Sequence, residues 1–255
     1  MITIKSKYEI EQMIIAGRIV GEVLNLLEKK AVPGITTKML DKIAEDYIIA
    51  NGALPSFKGQ EGIRGAKKFP ATLCTSVNDA VIHGIPDHTV LKDGDIISID
   101  VGACYNGYHG DAARTFAVGR CSEEALRLIN VTRESFFAGL EKVRPGNRIF
   151  DVSGSVQDVV EAAGYSLVRE FTGHGVGHEL HEDPEVPNYR TPRKGPRLQN
   201  GIAIAIEPMV IEGERDIYID SDNKWTVYTD DGSLAAHYEN TVIVNDDQPI
   251  VTTLI

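Results

Sequence analysis

Apolar residues recur at intervals of three and four along the first fifty positions, a pattern that predicts two amphipathic helices. Ser6-Lys-Tyr-Glu9 has the form of a capping box, and Ile10, Met13, Ile14, Val20, Val23, Leu24 and Leu27 follow it on one stripe, ending before Pro33-Gly34. From Thr37 to about Ala50, Leu40, Ile43, Ala44, Tyr47 and Ile48 share a face, and Asn51-Gly52 supplies a stop. The same syntax then returns. A helix from Ser122 is predicted to turn Leu126, Ile129, Phe136, Phe137, Leu140 and Val143 inward before Pro145-Gly146, and another carries Val152, Val156, Val159 and Val160 before Gly164. Each stop in the second set lies 112 residues after its counterpart in the first. That interval far exceeds the period of solenoid repeats. It predicts two related halves, about 1–120 and 121–255, packed as one domain.

After its helices each half shifts to a period of two. Asp95 to Val101 runs to the turn at Tyr105-Asn-Gly-Tyr108 and returns through Ala112 to Val118, while Ile202 to Pro208 is expected to pair with a continuous strand from His237 to Val244. A turn centred on Asn106-Gly107 sets Asp100 opposite residue 113, so Asp111 becomes its diagonal neighbour on the same face. In the second half, alternation puts Ile202, Ile204 and Ile206 on one face and Ala203, Ala205 and Glu207 on the other, leaving space beside the glutamate. Glu239 adds a fourth carboxylate, with His237 two residues earlier on the same face. The stretches 59–68, which includes Arg64, Lys67 and Lys68, and 187–197 are rich in Gly, Pro and basic residues and are read as surface loops.

Composition narrows the function classes. The chain has 255 residues, enough to bury a substantial core, and 37 acidic against 26 basic residues leave a formal charge of −11. Such an excess argues against a broad phosphate-binding surface, and so against nucleic acid as the ligand. No apolar run approaches bilayer length and no signal-peptide pattern opens the chain, so a soluble protein of the cytoplasm is expected. Three cysteines without a CxxC pair fit that reducing compartment.

Asp100, Asp111, Glu207 and Glu239 together raise the question of chemistry. Acidic residues taken singly are mostly exposed, and the bland reading of each is a surface or capping group. Two carboxylates at diagonal range on one strand face, however, repel unless a cation lies between them. Thr172-Gly-His174-Gly-Val-Gly-His178-Glu-Leu-His181 adds imidazole; its three closely spaced glycines argue for a tight loop, and it lacks the His-Glu-x-x-His helix of the zincins. Four carboxylates with one or two imidazoles describe a hard, oxygen-rich site for a pair of Mn, Fe, Co or Zn ions. His88 and His109 are read as solvated turn residues, and His178 as lying outside the ligand set.

The chain resembles the bacterial (type I) methionine aminopeptidases through several stretches at once. They include Pro33-Gly-Ile-Thr-Thr37, Cys74-Thr-Ser-Val-Asn-Asp-Ala-Val-Ile-His-Gly-Ile-Pro86, His109-Gly-Asp111, Gly173-His-Gly-Val-Gly177, His181-Glu-Asp-Pro184, Ile206-Glu-Pro-Met209 and Tyr238-Glu-Asn-Thr241. The resemblance implies an α+β, pita-bread fold, in which two pseudo-symmetric helix–helix–strand halves surround a central curved antiparallel sheet. It implies five metal ligands: Asp111 and Glu239 bridging two ions, Asp100 on one ion, and His174 and Glu207 on the other. By the same correspondence Glu207 relays protons, His181 stabilises the tetrahedral intermediate, and His83 contacts the scissile amide or the residue after it. Phe57, Phe69, Cys74, Leu180 and Trp225 would form a methionine pocket, with a tight rim favouring a small second residue. The implied substrates are the N-termini of newly made chains, with a monomeric enzyme and the ribosome as a possible docking partner. Two departures bear on the pocket: the connection from Gly59 to Phe69 is long, and Leu180 stands where a bulkier aromatic is frequent. The rival readings are an Xaa-Pro aminopeptidase or prolidase of the same fold and a pita-bread binding module without catalysis.

Overall fold

The computed structural model describes residues 1–62 and 65–255. Four helices carry the pattern expected of them: α1 (Lys7–Glu28), α2 (Thr37–Ala50), α3 (Glu123–Leu140) and α4 (Ile149–Ala162). Ser6 caps α1 as a complete capping box, and Thr36 and Ser122 accept from Met39 N and Ala125 N at the starts of α2 and α3. α2 and α4 have the same length and begin 112 residues apart. The phase of α3 differs from expectation at its first turn. Leu126 is 42% exposed, and Ala125, Leu128, Thr132, Ser135 and Phe136 form the buried stripe. Small residues occupy several inward positions there because α3 lies close against α4, where a Cβ on Gly139 would stand 2.8 Å from Val156.

Among the described residues all strand pairings are antiparallel. In the first half a long hairpin pairs Ile96–Tyr105 with Tyr108–Ala117, and Leu73–Val77 lies on the other side of the first of these strands. Asp100 sits opposite Ala113 and Asp111 opposite Gly102, the register expected of an Asn106-Gly107 turn. In the second half Ala203–Ile206 pairs with Asn240–Ile243 and also with Gly173–Gly175. α1 lies so close to the hairpin that a Cβ on Gly110 would fall 2.7 Å from Gly17 N, which explains the glycine at 110, while a Cβ on Gly17 would meet Thr252 Oγ1 at 2.4 Å.

The two halves meet in an antiparallel seam at the site, and Ala80–Ile82 of the first half also pairs with Val227–Thr229 of the second. Glu239 N donates to Ala113 O and Ala113 N to Glu239 O, at 2.9 and 3.3 Å. On either side a threonine hydroxyl inserts into the ladder. Thr115 Oγ1 accepts from His237 N and donates to His237 O, and Thr241 Oγ1 accepts from Asp111 N and donates to Asp111 O. The expected continuous strand from His237 is therefore broken. Ala235–His237 pairs with Met209–Ile211, the chain leaves that ladder at Tyr238-Glu239, and Asn240–Ile243 pairs with Ala203–Ile206. Pro208, which has no N–H to donate, stands at the matching break in the partner strand. Glu207 and Glu239 thus both lie where strands change partners.

Large apolar clusters fill the space beneath each pair of helices, one around Phe136, Val152, Val156 and Ile204, the other around Val20, Leu24, Leu40 and Ile99. Among the described residues no helix is long and apolar enough to cross a membrane. The N-terminal segment contributes a buried ion pair: Lys5 Nζ donates to Glu182 Oε2 at 2.7 Å, and Glu182 Oε1 accepts from Glu179 N at 3.2 Å. Both side chains are almost wholly enclosed, at 4% and 11% exposure. Removing one partner leaves the other charge buried and uncompensated. Lys5→Met is accordingly expected to lower unfolding free energy by about 3–5 kcal/mol in urea titration; a change below about 1 kcal/mol, the range of exposed pairs, would mean that the pair is solvated.

Candidate metal centre and its pocket

All five acidic and imidazole groups singled out as ligands open into one cavity of about 320 Å³ at the seam. The long hairpin supplies Asp100 and Asp111, the strand breaks supply Glu207 and Glu239, and Gly173–Gly175 supplies His174. That last segment is a strand of a hairpin with Glu182–Val186, not the loop expected from its glycines. The glycines serve close packing. A Cβ on Gly173 would lie 2.3 Å from Ala205 O, and one on Gly175 2.1 Å from Asp183 O. Only bare backbone lets His174 approach the carboxylates from this side.

His174 Nε2 lies 3.8 Å from Asp111 Oδ2 and 3.5 Å from Glu207 Oε1, while its Nδ1 is 2.9 Å from Gly175 O. With Nδ1–H donating to that carbonyl, the Nε2 lone pair faces the carboxylates, the orientation a metal-ligating histidine adopts. Asp111, His174 and Glu239 bring ligand atoms within 4.8 Å of one another, and so do Glu207, His237 and Glu239. Asp111 and Glu239 are 3% and 2% exposed, and one oxygen on each of Asp100, Asp111 and Glu239 has no hydrogen-bond partner. Orphaned carboxylate oxygens converging in a closed space fit divalent cations and little else.

The proton affinities agree. Burial, then the neighbouring carboxylates, pushes Asp100 and Glu239 well above the ordinary acid range, and burial with the Asp111 charge does the same to Glu207. Burial raises Asp111 to about 7. Burial also lowers His174 to about 3 and His83 to about 4, so both rings are neutral at physiological pH. A neutral imidazole beside acids that resist ionisation is a site that waits for external positive charge.

His181 sits at the solvent side of the cavity with its ring 4.4 Å from that of His174. Burial of part of its ring by neighbouring atoms holds it below the usual histidine range. His83 adopts φ 59°, a left-handed conformation uncommon for a residue with a Cβ, and stands edge-on to Phe171 at 5.5 Å and to Trp225 at 6.2 Å. Beyond the acids, Phe57, Phe69, Cys74 and Leu180 form an apolar cluster against which Trp225 packs. The long connection closes on itself beside this pocket, since Gly59 N donates to Phe69 O and Phe69 N to Gln60 O; Arg64 lies outside the described residues. Lys67 contributes its carbonyl to Trp225 Nε1 at 2.8 Å, and Lys68 pairs with exposed Glu61.

Gln60 and Phe171 carry no signal of their own in the sequence, and Thr172 and His237 are noted there without a role. Gln60, Phe171 and Thr172 line the cavity. Phe171 and Thr172 immediately precede Gly173-His174, so their neighbourhood was signalled but their direction was not. His109, read as a solvated turn residue, instead lies in the hairpin with Nδ1 2.8 Å from Ser56 Oγ. His178 is exposed and lies 3.7 Å from Glu9, away from the acids.

A cluster of buried acids and one imidazole at the junction of two like halves is the hallmark of a dinuclear metallohydrolase, and a profile of metallopeptidase family M24 matches residues 11–246. The chain belongs to that family. Within it the chain groups with the methionine aminopeptidases: it is 58% identical over 255 residues to the methionine aminopeptidase of Clostridium acetobutylicum, covering 100% of this chain and 99% of that one. The crystal structure of methionine aminopeptidase from Thermotoga maritima superposes with a TM-score of 0.95 at 41% identity, with complete coverage of both chains. A prolidase from Pyrococcus furiosus shares the fold at a TM-score of 0.78 and 24% identity, but this chain spans only 65% of it. Family membership carries aminopeptidase chemistry and divalent metal ions with it, and the binding-module reading is not favoured.

The raised carboxyl affinities make a stability prediction. A folded-state pKa above the unfolded one stabilises the fold below the unfolded value, and that contribution is lost as pH rises through the folded value. Histidines with lowered values act in the opposite sense, but only below their unfolded pKa near 6.5. Between pH 6.5 and 8.5 the carboxyls alone remain, so the metal-free protein should lose about 1.4 kcal/mol per pH unit for each acid still protonated. Added Mn or Co should abolish that slope, and Asp111→Asn should bind fewer ions. Calorimetric melting with and without metal checks this; a metal-free curve flat across the window would contradict it.

Proposed function

We propose that this protein removes the N-terminal methionine from newly made proteins whose second residue is small. The observation that carries the reading is a single cavity with two unlike ends. One end gathers the acids and His174; the other is an apolar recess of Phe57, Phe69, Cys74, Leu180 and Trp225. An apolar recess beside the reacting groups accepts one side chain, here that of the substrate's first residue, which accords with the aminopeptidase relatives. An unbranched, polarizable thioether suits aromatic and sulfur-bearing walls.

Asp100, Asp111, His174, Glu207 and Glu239 would hold two ions, from among Mn, Fe, Co and Zn. When bound, such a pair supplies an activated water and polarises the scissile carbonyl. Glu207, at the edge of the acid cluster, would carry a proton toward the departing amine. His181, open to solvent and close to His174, would hydrogen-bond the oxygen that becomes negative in the tetrahedral state, and His83, held between Phe171 and Trp225, would position the scissile amide. Residues 1–255 would act as one catalytic domain, monomeric and cytoplasmic, working on nascent chains with the ribosome as a docking partner.

Peptides Met-Ala-X are expected to be cleaved, and Met-Lys-X and Xaa-Pro-X not, when assayed with each metal in turn. Cleavage of Xaa-Pro-X alone would replace this reading with the prolidase one, and no turnover with any metal would remove peptidase function. His181→Ala should retain full metal content while kcat falls roughly 10²-fold, because its contact belongs to the transition state. Wild-type turnover in that variant would take the role from His181.

A further inference from the structure

The carboxylate of Glu207 lies between two imidazoles. His174 Nε2 is 3.5 Å from its Oε1, and His237 Nε2 is 3.7 Å from its Oε2. His174 has its own purpose as a ligand candidate, whereas His237 lies outside the five and has none assigned. It is nevertheless among the more constrained side chains at the centre. His237 is 2% exposed, its backbone N–H and C=O are both held by Thr115 Oγ1, and its Nε2 has no hydrogen-bond partner.

A buried nitrogen without a partner forfeits the hydrogen bond it had in water, a cost that native interiors seldom carry without reason. The charged and titratable groups that face His237 are Glu207, Glu239, His83 and Arg114. Of these, Glu239 Oε2 is 4.0 Å away and Glu207 Oε2 is nearer. Arg114 is a donor already committed to Glu239 O and Asn240 Oδ1. The 3.7 Å separation from Glu207 Oε2 exceeds the upper limit of an ordinary hydrogen bond by about 0.5 Å.

We propose that His237 is the positioning residue for Glu207. Its Nε2–H donates to Glu207 Oε2 and so keeps Oε1 turned toward His174 and the ions. Carboxylates that bind metals are steadied by such outer partners, and losing one weakens ion binding and turnover by about 10–100-fold. The inference rests on the reading of Glu207 as a ligand and proton carrier, and the variants below separate the two.

Three purified variants are compared with the wild type: His237→Leu, which removes the donor; His237→Gln, which keeps an N–H at similar reach; and Glu207→Gln. Ion binding is followed by titration calorimetry with Co, together with the Co absorption spectrum, and kcat and KM are measured on Met-Ala-X. In His237→Leu we expect one ion to bind about 10-fold or more weakly and kcat to fall by about 10–100-fold, with KM little changed. His237→Gln should recover both to within about threefold. Wild-type behaviour of His237→Leu overturns the proposal, as does His237→Gln being as impaired as His237→Leu, which would make the imidazole itself a ligand. Full ion content and activity in Glu207→Gln would instead sink the role of Glu207. A readout that needs no variant is the ¹⁵N shift of His237 in the metal-loaded protein. The proposal requires the Nε2–H tautomer, and the Nδ1–H tautomer overturns it.

Discussion

Four carboxyl groups share one enclosed space at the junction of the two halves, and their mutual repulsion is the constraint around which the structure is arranged. Each is buried by the packing that closes the cavity, and the Asp111 charge raises the proton affinity of the other three. Buried acids in this state have two ways to become tolerable: they keep protons, or they surround cations. The neutral His174, its lone pair directed inward by Gly175 O, makes the second the chemically coherent choice. The same arrangement that is costly without metal would hold divalent ions, which when bound would supply an activated water.

Backbone geometry makes this possible without an unsatisfied ladder. Asp111 keeps both main-chain groups bonded through Thr241, and Glu239 exchanges both of its own with Ala113. The acids are therefore fixed at the backbone even though their side chains are not paired. Because the seam draws one strand from each half, neither half alone contains the site. The pita-bread arrangement and the acidic cluster are two descriptions of one junction.

How much of this was readable in advance varied with the range of the interactions involved. Helix starts at Ser6 and Ser122 depend on a serine hydroxyl accepting from the backbone N–H three residues on, and the Asp100–Asp111 register depends on one turn, so local sequence specifies them. The strand break at Tyr238-Glu239 depends on Pro208 and on Ala113, 126 residues earlier, and alternation alone suggested an unbroken strand. The glycines around His174 were read as loop formers because flexibility is their commonest use. Their actual use, clearance for Ala205 O and Asp183 O, appears only when strands are placed side by side. Leu126 was assigned inward by apolarity, whereas the crowding of α3 against α4 selects small residues and leaves it in solvent. Phe171 closes the wall beside His83 through a contact across distant segments, for which sequence carries no periodic signal.

The central claim, that two cations occupy the space between these acids, is tested most directly by anomalous diffraction at the Mn edge from crystals grown with that ion. The account predicts two neighbouring peaks enclosed by Asp100, Asp111, His174, Glu207 and Glu239. Peaks elsewhere on the surface, or an empty cluster whose carboxylates pair with one another through shared protons at neutral pH, would contradict it.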